Sequence, residues 1–170
     1  MISAKYIAEL TKIIISDFIG KNNFSDNMKS WNDSQLFDAE VMSEIISDNS
    51  TELKLVKEKL RKFNVNNSVL IDREILKSIC KIVMDRSAKI VATLIVGIIL
   101  KIDRELNRTH IVAIDGTLYE KATWYKDKLR ENIDNLLGEK RDKIKLKLTK
   151  DGSGKGAAVA AATAIINQQK

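Results

Sequence analysis

Proline is absent from the sequence, cysteine and histidine occur once each, and the aromatic residues are two Trp, three Tyr and four Phe. The single Cys80 excludes an internal disulfide, and Cys80 together with His110 supplies too few ligands for a zinc site. So few aromatic rings argue against a stacking platform for nucleic-acid bases. These scarcities favour a protein of a reducing, cytoplasmic compartment that holds no metal through its own side chains.

Long hydrophobic runs are also lacking. The longest, residues 90–100, lies between Lys89 and Lys101 and has about half of the roughly 20 residues that a membrane-spanning helix requires. Residues 1–6 have neither the apolar run nor the cleavage site of a signal peptide. We therefore expect no membrane association, and a core helix at residues 90–100.

Charge of one sign does not dominate, since 29 basic residues face 23 acidic ones and the lysines are spread along the chain. The net charge of +6 permits binding to nucleic acid, but no basic block calls for it. The length of 170 residues and the hydrophobic content of 44% are typical of one globular domain, and we treat residues 1–170 as a single unit.

Apolar spacing predicts a helix-rich chain with two strands. Helical periodicity covers about 2–19, 38–47, 51–63, 72–106 and 122–137, with a polar loop over 21–36. Alternation and β-branched residues predict strands over 111–114 and 143–149. The predicted apolar face of the fourth helix includes Ile82. The predicted apolar face of the first helix holds Tyr6, Leu10, Ile13, Ile14 and Phe18.

Two glycine-containing turns follow the two predicted strands. Asp115-Gly116-Thr117 ends the first strand, and residues 150–156 (KDGSGKG) separate the second strand from an Ala-rich helix. A strand–helix–strand unit crosses over right-handed and brings the carboxyl ends of both strands to one edge of a parallel sheet. Because ligands of open α/β sheets bind at that edge, we expect the two turns to lie together there.

The residue types in these turns suit an anionic ligand. Gly116 leaves its backbone open, Thr117 offers a hydroxyl, and residues 152–156 offer N–H groups at a helix N-terminus, whose dipole favours negative charge. We interpret the pair as two sides of a nucleotide site, although each pattern is also typical of a simple turn. The spacing excludes a P-loop, since Gly156 follows Lys155, and a dinucleotide fingerprint, whose ribose-binding acid would fall past residue 170.

Four segments resemble the eukaryotic-type hexokinases and glucokinases, in the same order along the chain. Residues 1–10 (MISAKYIAEL) are similar to the opening of a family helix, and residues 79–88 (ICKIVMDRSA) to a family segment that ends in Arg-Ser-Ala. Residues 112–119 (VAIDGTLY) resemble the family's adenosine motif, and residues 151–158 (DGSGKGAA) its closing glycine-rich motif. The likeness corresponds to the C-terminal part of the family's large domain.

The resemblance implies an α/β fold of the ribonuclease-H-like, actin-like ATPase class, helix-rich with a partial parallel sheet. It implies an ATP-dependent kinase of a hexose such as glucose, acting at the 6-hydroxyl in glycolysis, with Mg²⁺ bound through the nucleotide. Carried over residue by residue, the nucleotide site would comprise Ala4, Lys5, Asp33, Ser34, Phe37, Gly116, Thr117, Leu118, Tyr119, Gly152, Ser153 and Gly154.

No residue here matches the catalytic Asp or the sugar-binding loops, which in the family precede the position of Met1. Asp115 is the most prominent carboxylate, but an Asp before Gly at a strand end is typical of an Asx turn. Family glycines are replaced at Ala4 and Ala8, and Gln35-Leu36 replaces Gly-Lys or Gly-Ala. We therefore expect the chain to supply walls of an ATP or ADP site and to be inactive alone.

The predicted sheet and core are incomplete by themselves. A two-stranded sheet is marginal in water, and a helix that is apolar all round needs partners on several faces. We therefore expect self-association or a complementary half-domain, with which the hexose would bind. One alternative is a non-catalytic interaction or regulatory module that keeps the fold, which Ala4, Gln35 and Leu36 would suit. Another is a basic helical protein whose binding to nucleic acid weakens with salt.

Overall fold

The computed structural model describes residues 3–32, 37–150, 152, 154, 156–159 and 161. The helices are α1 (Ala4–Gly20), α2 (Ala39–Ser47), α3 (Lys54–Lys62), α4 (Leu70–Ile102), α5 (Thr117–Lys121) and α6 (Thr123–Leu137). The strands are β1 (His110–Ile114) and β2 (Ile144–Leu148), and two 3₁₀ segments lie at Asp26–Ser30 and Gly138–Lys143. The predicted elements before residue 150 are all present, with ends shifted by up to four residues. The Ala-rich helix lies largely outside the described residues.

The structure adds short helical segments that the sequence did not predict. The loop over 21–36 contains the 3₁₀ segment Asp26–Ser30, which forms because Met28 is fully buried and anchors it to the core. The helix predicted to begin at Ala122 is preceded by a separate short helix, α5. Ala122 divides α5 from α6 because its backbone is extended, with φ −91° and ψ 91°.

Helix α1 packs only part of its predicted apolar face against the core, namely Leu10, Ile14 and Phe18. Tyr6 and Ile13 are 56% and 65% exposed, so their assignment to the core was wrong. Thr11 is fully buried, which is tolerated because its hydroxyl donates to the carbonyl of Ile7 at 2.9 Å. Contacts with α2 and α4 select this face. The buried residues are Ile7, Ala8, Thr11 and Ile15.

Helix α4 is the centre of the fold, since it contacts α1, α2, α3 and α6. Its N-terminus is fixed by Asp72, whose fully buried carboxylate accepts the N–H and hydroxyl of Ser25 at 2.8 and 2.7 Å and the N–H of Val69 at 3.0 Å. The first half buries Leu76, Cys80 and Met84 completely. Ile82, expected on the apolar face, is exposed, because the face that packs against α6 and α2 lies beside it.

The second half of α4 is apolar on every side, and one side faces solvent. Leu94, Ile98 and Ile102 are 52%, 59% and 63% exposed. Their spacing of four residues puts them along one face of the helix. Across the described ranges, no helix combines the length and apolarity needed to cross a membrane.

The end of α4 is tied to the start of β1 through Asp103. The Asp103 carboxylate accepts the N–H groups of Asn107 and Arg108 at 3.1 and 3.3 Å, and its Oδ2 lies 3.0 Å from His110 Nε2. The bond to His110, followed by that to the Asn107 amide, lowers the pKa of Asp103 to about 2. These bonds fix the amino end of β1. The predicted turn at Asp115 follows the opposite, carboxyl end of the strand.

Strands β1 and β2 pair in parallel, as predicted, with His110 opposite Ile144 and Ile114 opposite Leu148. On the inner face Ile144 is fully buried and belongs to the same core as α4 and α6. On the outer face Ile111 is 69% exposed and lies opposite the exposed Lys145. The sheet of the described residues therefore has one covered face and one open face.

Candidate functional site

The two predicted turns lie side by side at the carboxyl edge of the sheet. The N–H of Thr149 donates to the carbonyl of Ile114 at 2.9 Å, and the Thr149 hydroxyl donates to the same oxygen at 3.3 Å. The N–H of Gly152 donates to Asp115 Oδ2 at 2.8 Å. The prediction that one sheet edge brings both turns together is confirmed.

The side chain of Asp115 bridges the two turns. A helix N-terminus favours a nearby negative charge. Here the Asp115 carboxylate provides that charge by accepting the N–H of Gly152. The expectation that Asp115 forms an Asx turn within its own loop was wrong in this respect, because its carboxylate is turned towards the other loop. A methyl group on Gly152 would lie 3.3 Å from Asp115 Oδ2 and 3.4 Å from Thr149 Oγ1, so a larger residue there would require these side chains to shift slightly.

The turn after β1 leads directly into the short helix α5. Thr117 is its first residue, with Gly116 at the N-cap position, and Leu118 is buried. Tyr119 is half-buried, and the loss of solvent raises the pKa of its phenol. The ammonium group of Lys126 lies 5.7 Å from the centre of the Tyr119 ring. The predicted ligand-facing residues thus include an exposed hydroxyl and an aromatic ring fixed by packing.

Two cavities meet at the N-terminus of α1 and at α5. The smaller, of about 180 Å³, is lined by Ala4, Lys5, Asp38, Ala39, Glu40, Thr117, Leu118, Lys121 and Ala122. The larger, of about 390 Å³, is lined by Ser3, Ala4, Val91, Ile114, Asp115, Gly116, Thr117, Leu118, Tyr119, Tyr125 and Leu129. Both cavities are lined by Ala4, Thr117 and Leu118, so the cavities adjoin and their linings form one continuous wall.

Helix N-termini and lysines give the smaller cavity a partly positive character. Helices α1 and α2 begin at Ala4 and Ala39, both in its lining. The first N–H groups of a helix lack partners within the helix and attract anions. At the start of α2, two of these N–H groups already have a partner, because the Asp38 carboxylate accepts hydrogen bonds from Glu40 and Val41, both at 2.9 Å. The ammonium of Lys5 is exposed beside the start of α1.

Ion pairs tie α5 to the elements around it. Lys121 Nζ lies 2.8 Å from Glu40 Oε2 on α2, and this bond raises the pKa of Lys121. Lys150 Nζ lies 2.8 Å from Glu120 Oε1, which lowers the pKa of Glu120 and raises that of Lys150. These pairs join side chains of α5, the helix that begins at Thr117, to α2 and to the turn after β2.

The structure brings together six of the predicted site residues and separates one. Phe37 is 2% exposed, and its ring lies 5.5 Å from that of Trp31 and 5.6 Å from that of Phe63, so its side chain belongs to the core. Gly152 borders the wall through Asp115, and Gly154 is exposed. Three predicted residues, Asp33, Ser34 and Ser153, lie outside the described residues. The six that line the cavities are Ala4, Lys5, Gly116, Thr117, Leu118 and Tyr119.

Sequence reasoning missed the acidic side of the smaller cavity and Lys121. Asp38 and Glu40 follow a polar loop, and Lys121 comes immediately after the adenosine-like motif. Nothing in the local sequence indicates that Lys121 meets a residue 81 positions earlier. In the described part of the chain, no group of three or more His, Cys, Asp or Glu side chains is arranged to hold a metal ion.

The fold is that of hexokinases. A crystal structure of a hexokinase superposes on 95% of this chain with a TM-score of 0.71 and 27% identity, over 35% of its own length. The hexokinase from Schistosoma mansoni, solved as a complex with glucose, has the same fold, with a TM-score of 0.73 over 95% of this chain and 36% of its own. The chain therefore has the actin-like ATPase fold of hexokinases, with a helix-rich body and a small parallel sheet.

The chain belongs to the hexokinase family, since the family model for hexokinase matches residues 1–163. Hexokinase-7 of Oryza sativa subsp. japonica is 34% identical over 172 aligned residues, which cover 95% of this chain and 36% of the relative. Hexokinase-2 of Arabidopsis thaliana is 35% identical over 129 residues, covering 72% of this chain and 26% of the relative. The chain thus spans about a third of the length of the first of these relatives.

Proposed function

We propose that this chain acts as the C-terminal segment of an ATP-dependent hexokinase and supplies walls of its nucleotide site. The observation that carries the proposal is the meeting of Lys5, Thr117 and the N-terminus of α1 in one cavity, next to Tyr119 in the adjoining one. An ammonium, a hydroxyl and free helix N–H groups suit a phosphate chain, and an adjacent apolar cavity with an aromatic ring suits a nucleoside.

The described carboxylates around the cavities already have partners, which is why we assign none of them to catalysis. Asp38 caps α2, Glu40 pairs with Lys121, Asp115 accepts the N–H of Gly152, and Glu120 pairs with Lys150. Phosphoryl transfer depends on positioning both substrates and on metal-held phosphates. The base and the sugar site would therefore come from the part of a hexokinase that this chain does not match, which we call the complementary segment.

Magnesium would enter with the nucleotide. The donor set of the cavities consists of an ammonium, a hydroxyl and backbone N–H groups, which suits phosphate oxygens, and the nearby carboxylates are engaged in caps and ion pairs. Mg²⁺ commonly keeps several waters and binds through substrate phosphates. When bound, the ion would neutralise phosphate charge, while Lys5 and Thr117 orient the phosphate chain.

The sheet supports the need for a complementary segment. Parallel sheets are covered on both faces, yet Ile111 on the outer face of β1 is 69% exposed. Strand β1 is apolar on both faces, as in a central strand, whereas β2 alternates Ile and Leu with Lys, as in an edge strand. We infer that the complementary segment pairs with the edge of β1 away from β2 and covers Ile111.

One observation favours a second candidate function. Ala4 lines both cavities, at a position where the family resemblance implies glycine. A methyl group there narrows the approach to the first N–H groups of α1. A non-catalytic interaction module would keep the surface of β1 and bind no ATP.

Calorimetric titration with MgATP separates these functions. We expect the chain to bind ATP weakly alone, more tightly with the complementary segment of a plant relative, and to support glucose phosphorylation only in that complex. The variant Thr117→Val should weaken ATP binding, whereas the matched Thr123→Val, at the first position of α6, should not. A stable complex without ATP binding at about 10 mM nucleotide would support the interaction module instead.

A further inference from the structure

The ion pair between Lys121 and Glu40 lies in the lining of the smaller cavity. Lys121 is the last residue of α5 and Glu40 the second residue of α2, and both belong to the cavity lining together with Lys5 and Thr117. Their side chains are 52% and 55% exposed, so the bond of 2.8 Å forms in contact with solvent. An ion pair at such exposure contributes little to stability. We therefore consider a role in ligand binding, because both side chains line a cavity at the N-termini of α1 and α2.

The lining of the smaller cavity contains two cationic side chains, Lys5 and Lys121, and two carboxylates. Asp38 and Glu40 both lie in the lining, and a phosphate that approached the start of α2 would meet their negative charge. In the described part of the chain, Lys5 takes part in no ion pair, whereas Lys121 is neutralised by Glu40. A polyphosphate carries more negative charge than a carboxylate and offers more acceptor oxygens, so it competes well for an ammonium group.

We propose that Lys121 is a phosphate-binding residue of the nucleotide site and that Glu40 holds its ammonium until a nucleotide polyphosphate replaces the carboxylate. The inference rests on the proposed nucleotide site and adds a specificity determinant to it. Both side chains are exposed, so rotation about their bonds is enough to exchange the partner of Lys121. The exchange costs little because the ammonium of Lys121 has a charge-assisted hydrogen bond both before and after it. Adenosine, which has no phosphate, leaves the Lys121–Glu40 pair intact.

The two partners of the pair have opposite roles under this proposal, and that difference provides the test. Lys121→Gln removes a phosphate contact and should weaken MgATP binding about tenfold, with adenosine binding unchanged. Glu40→Gln removes the competitor and should strengthen MgATP binding about twofold to fivefold. If the pair only held α2 and α5 together, both variants would break the same contact and would change MgATP affinity in the same direction.

The measurement is calorimetric titration of the chain, and of its complex with the complementary segment, with MgATP and with adenosine. The matched control is the exposed pair Lys128–Glu131 on α6, with Nζ and Oε2 2.7 Å apart, where both Gln variants should leave affinity unchanged. If both variants change MgATP affinity in the same direction, or if Lys121→Gln leaves it unchanged, this inference is overturned while the proposed nucleotide site stands. If neither form of the wild-type protein binds MgATP, the nucleotide site and this inference both fail. If Lys121→Gln does not fold, an unchanged or weaker MgATP affinity in Glu40→Gln overturns the inference.

Discussion

Ile111 provides the most direct test of the proposed complementary segment. Its side chain stands on the outer face of β1 and is 69% exposed. Full burial of an Ile side chain stabilises by about 1.5–3 kcal/mol, so covering the exposed two-thirds contributes about 1–2 kcal/mol to association. Ile111→Ala should therefore weaken binding of the complementary segment roughly tenfold. Ile111→Lys, which places an unpaired charge in the interface, should weaken it by about a hundredfold or more.

Lys145 gives the matched control for this substitution. It lies directly opposite Ile111 in the parallel register, on the same outer face, but on the strand with an edge pattern. Lys145→Ala should leave the affinity within about twofold of wild type. Affinity can be measured by calorimetry or by recovery of hexokinase activity on mixing, with far-UV circular dichroism to show that each variant folds. Equal affinity for wild type and Ile111→Lys would refute the assignment of β1 as a central strand.

Two further predictions concern side chains that fix α4 at its ends. Asp72→Ala should lower the free energy of unfolding by about 3 kcal/mol in urea denaturation, because the fully buried carboxylate accepts three hydrogen bonds from Ser25 and Val69. The matched Asp26→Ala, at an exposed carboxylate, should leave the unfolding curve nearly unchanged. The pKa of Asp103 is lowered to about 2, so its contribution to stability is present above about pH 4 and is lost as the pH falls towards 2. The stability difference between wild type and Asp103→Asn should therefore shrink over that range, and a constant difference would contradict the pairing of Asp103 with its neighbours.

The sequence by itself determined the order and type of the longer helices and of the two strands, and the place of the two turns. Apolar spacing and the glycine positions sufficed because they depend on contacts within a few residues. The parallel pairing of β1 and β2 followed from the strand–helix–strand order, and with it the approach of Asp115 to Gly152. The order of four motifs along the chain was enough to predict the hexokinase family.

Only the tertiary structure decided which faces are covered and which charges meet. Tyr6 and Ile13 have the expected spacing, yet α1 buries Ile7 and Thr11, because the fit against α2 and α4 selects the face. The Lys121–Glu40 pair joins residues 81 positions apart, and no local pattern encodes that distance. The periodicity of apolar residues describes one helix or strand at a time. A binding site forms where the ends of several helices and strands converge. The wall shared by α1, α2 and α5 is therefore a property of packing.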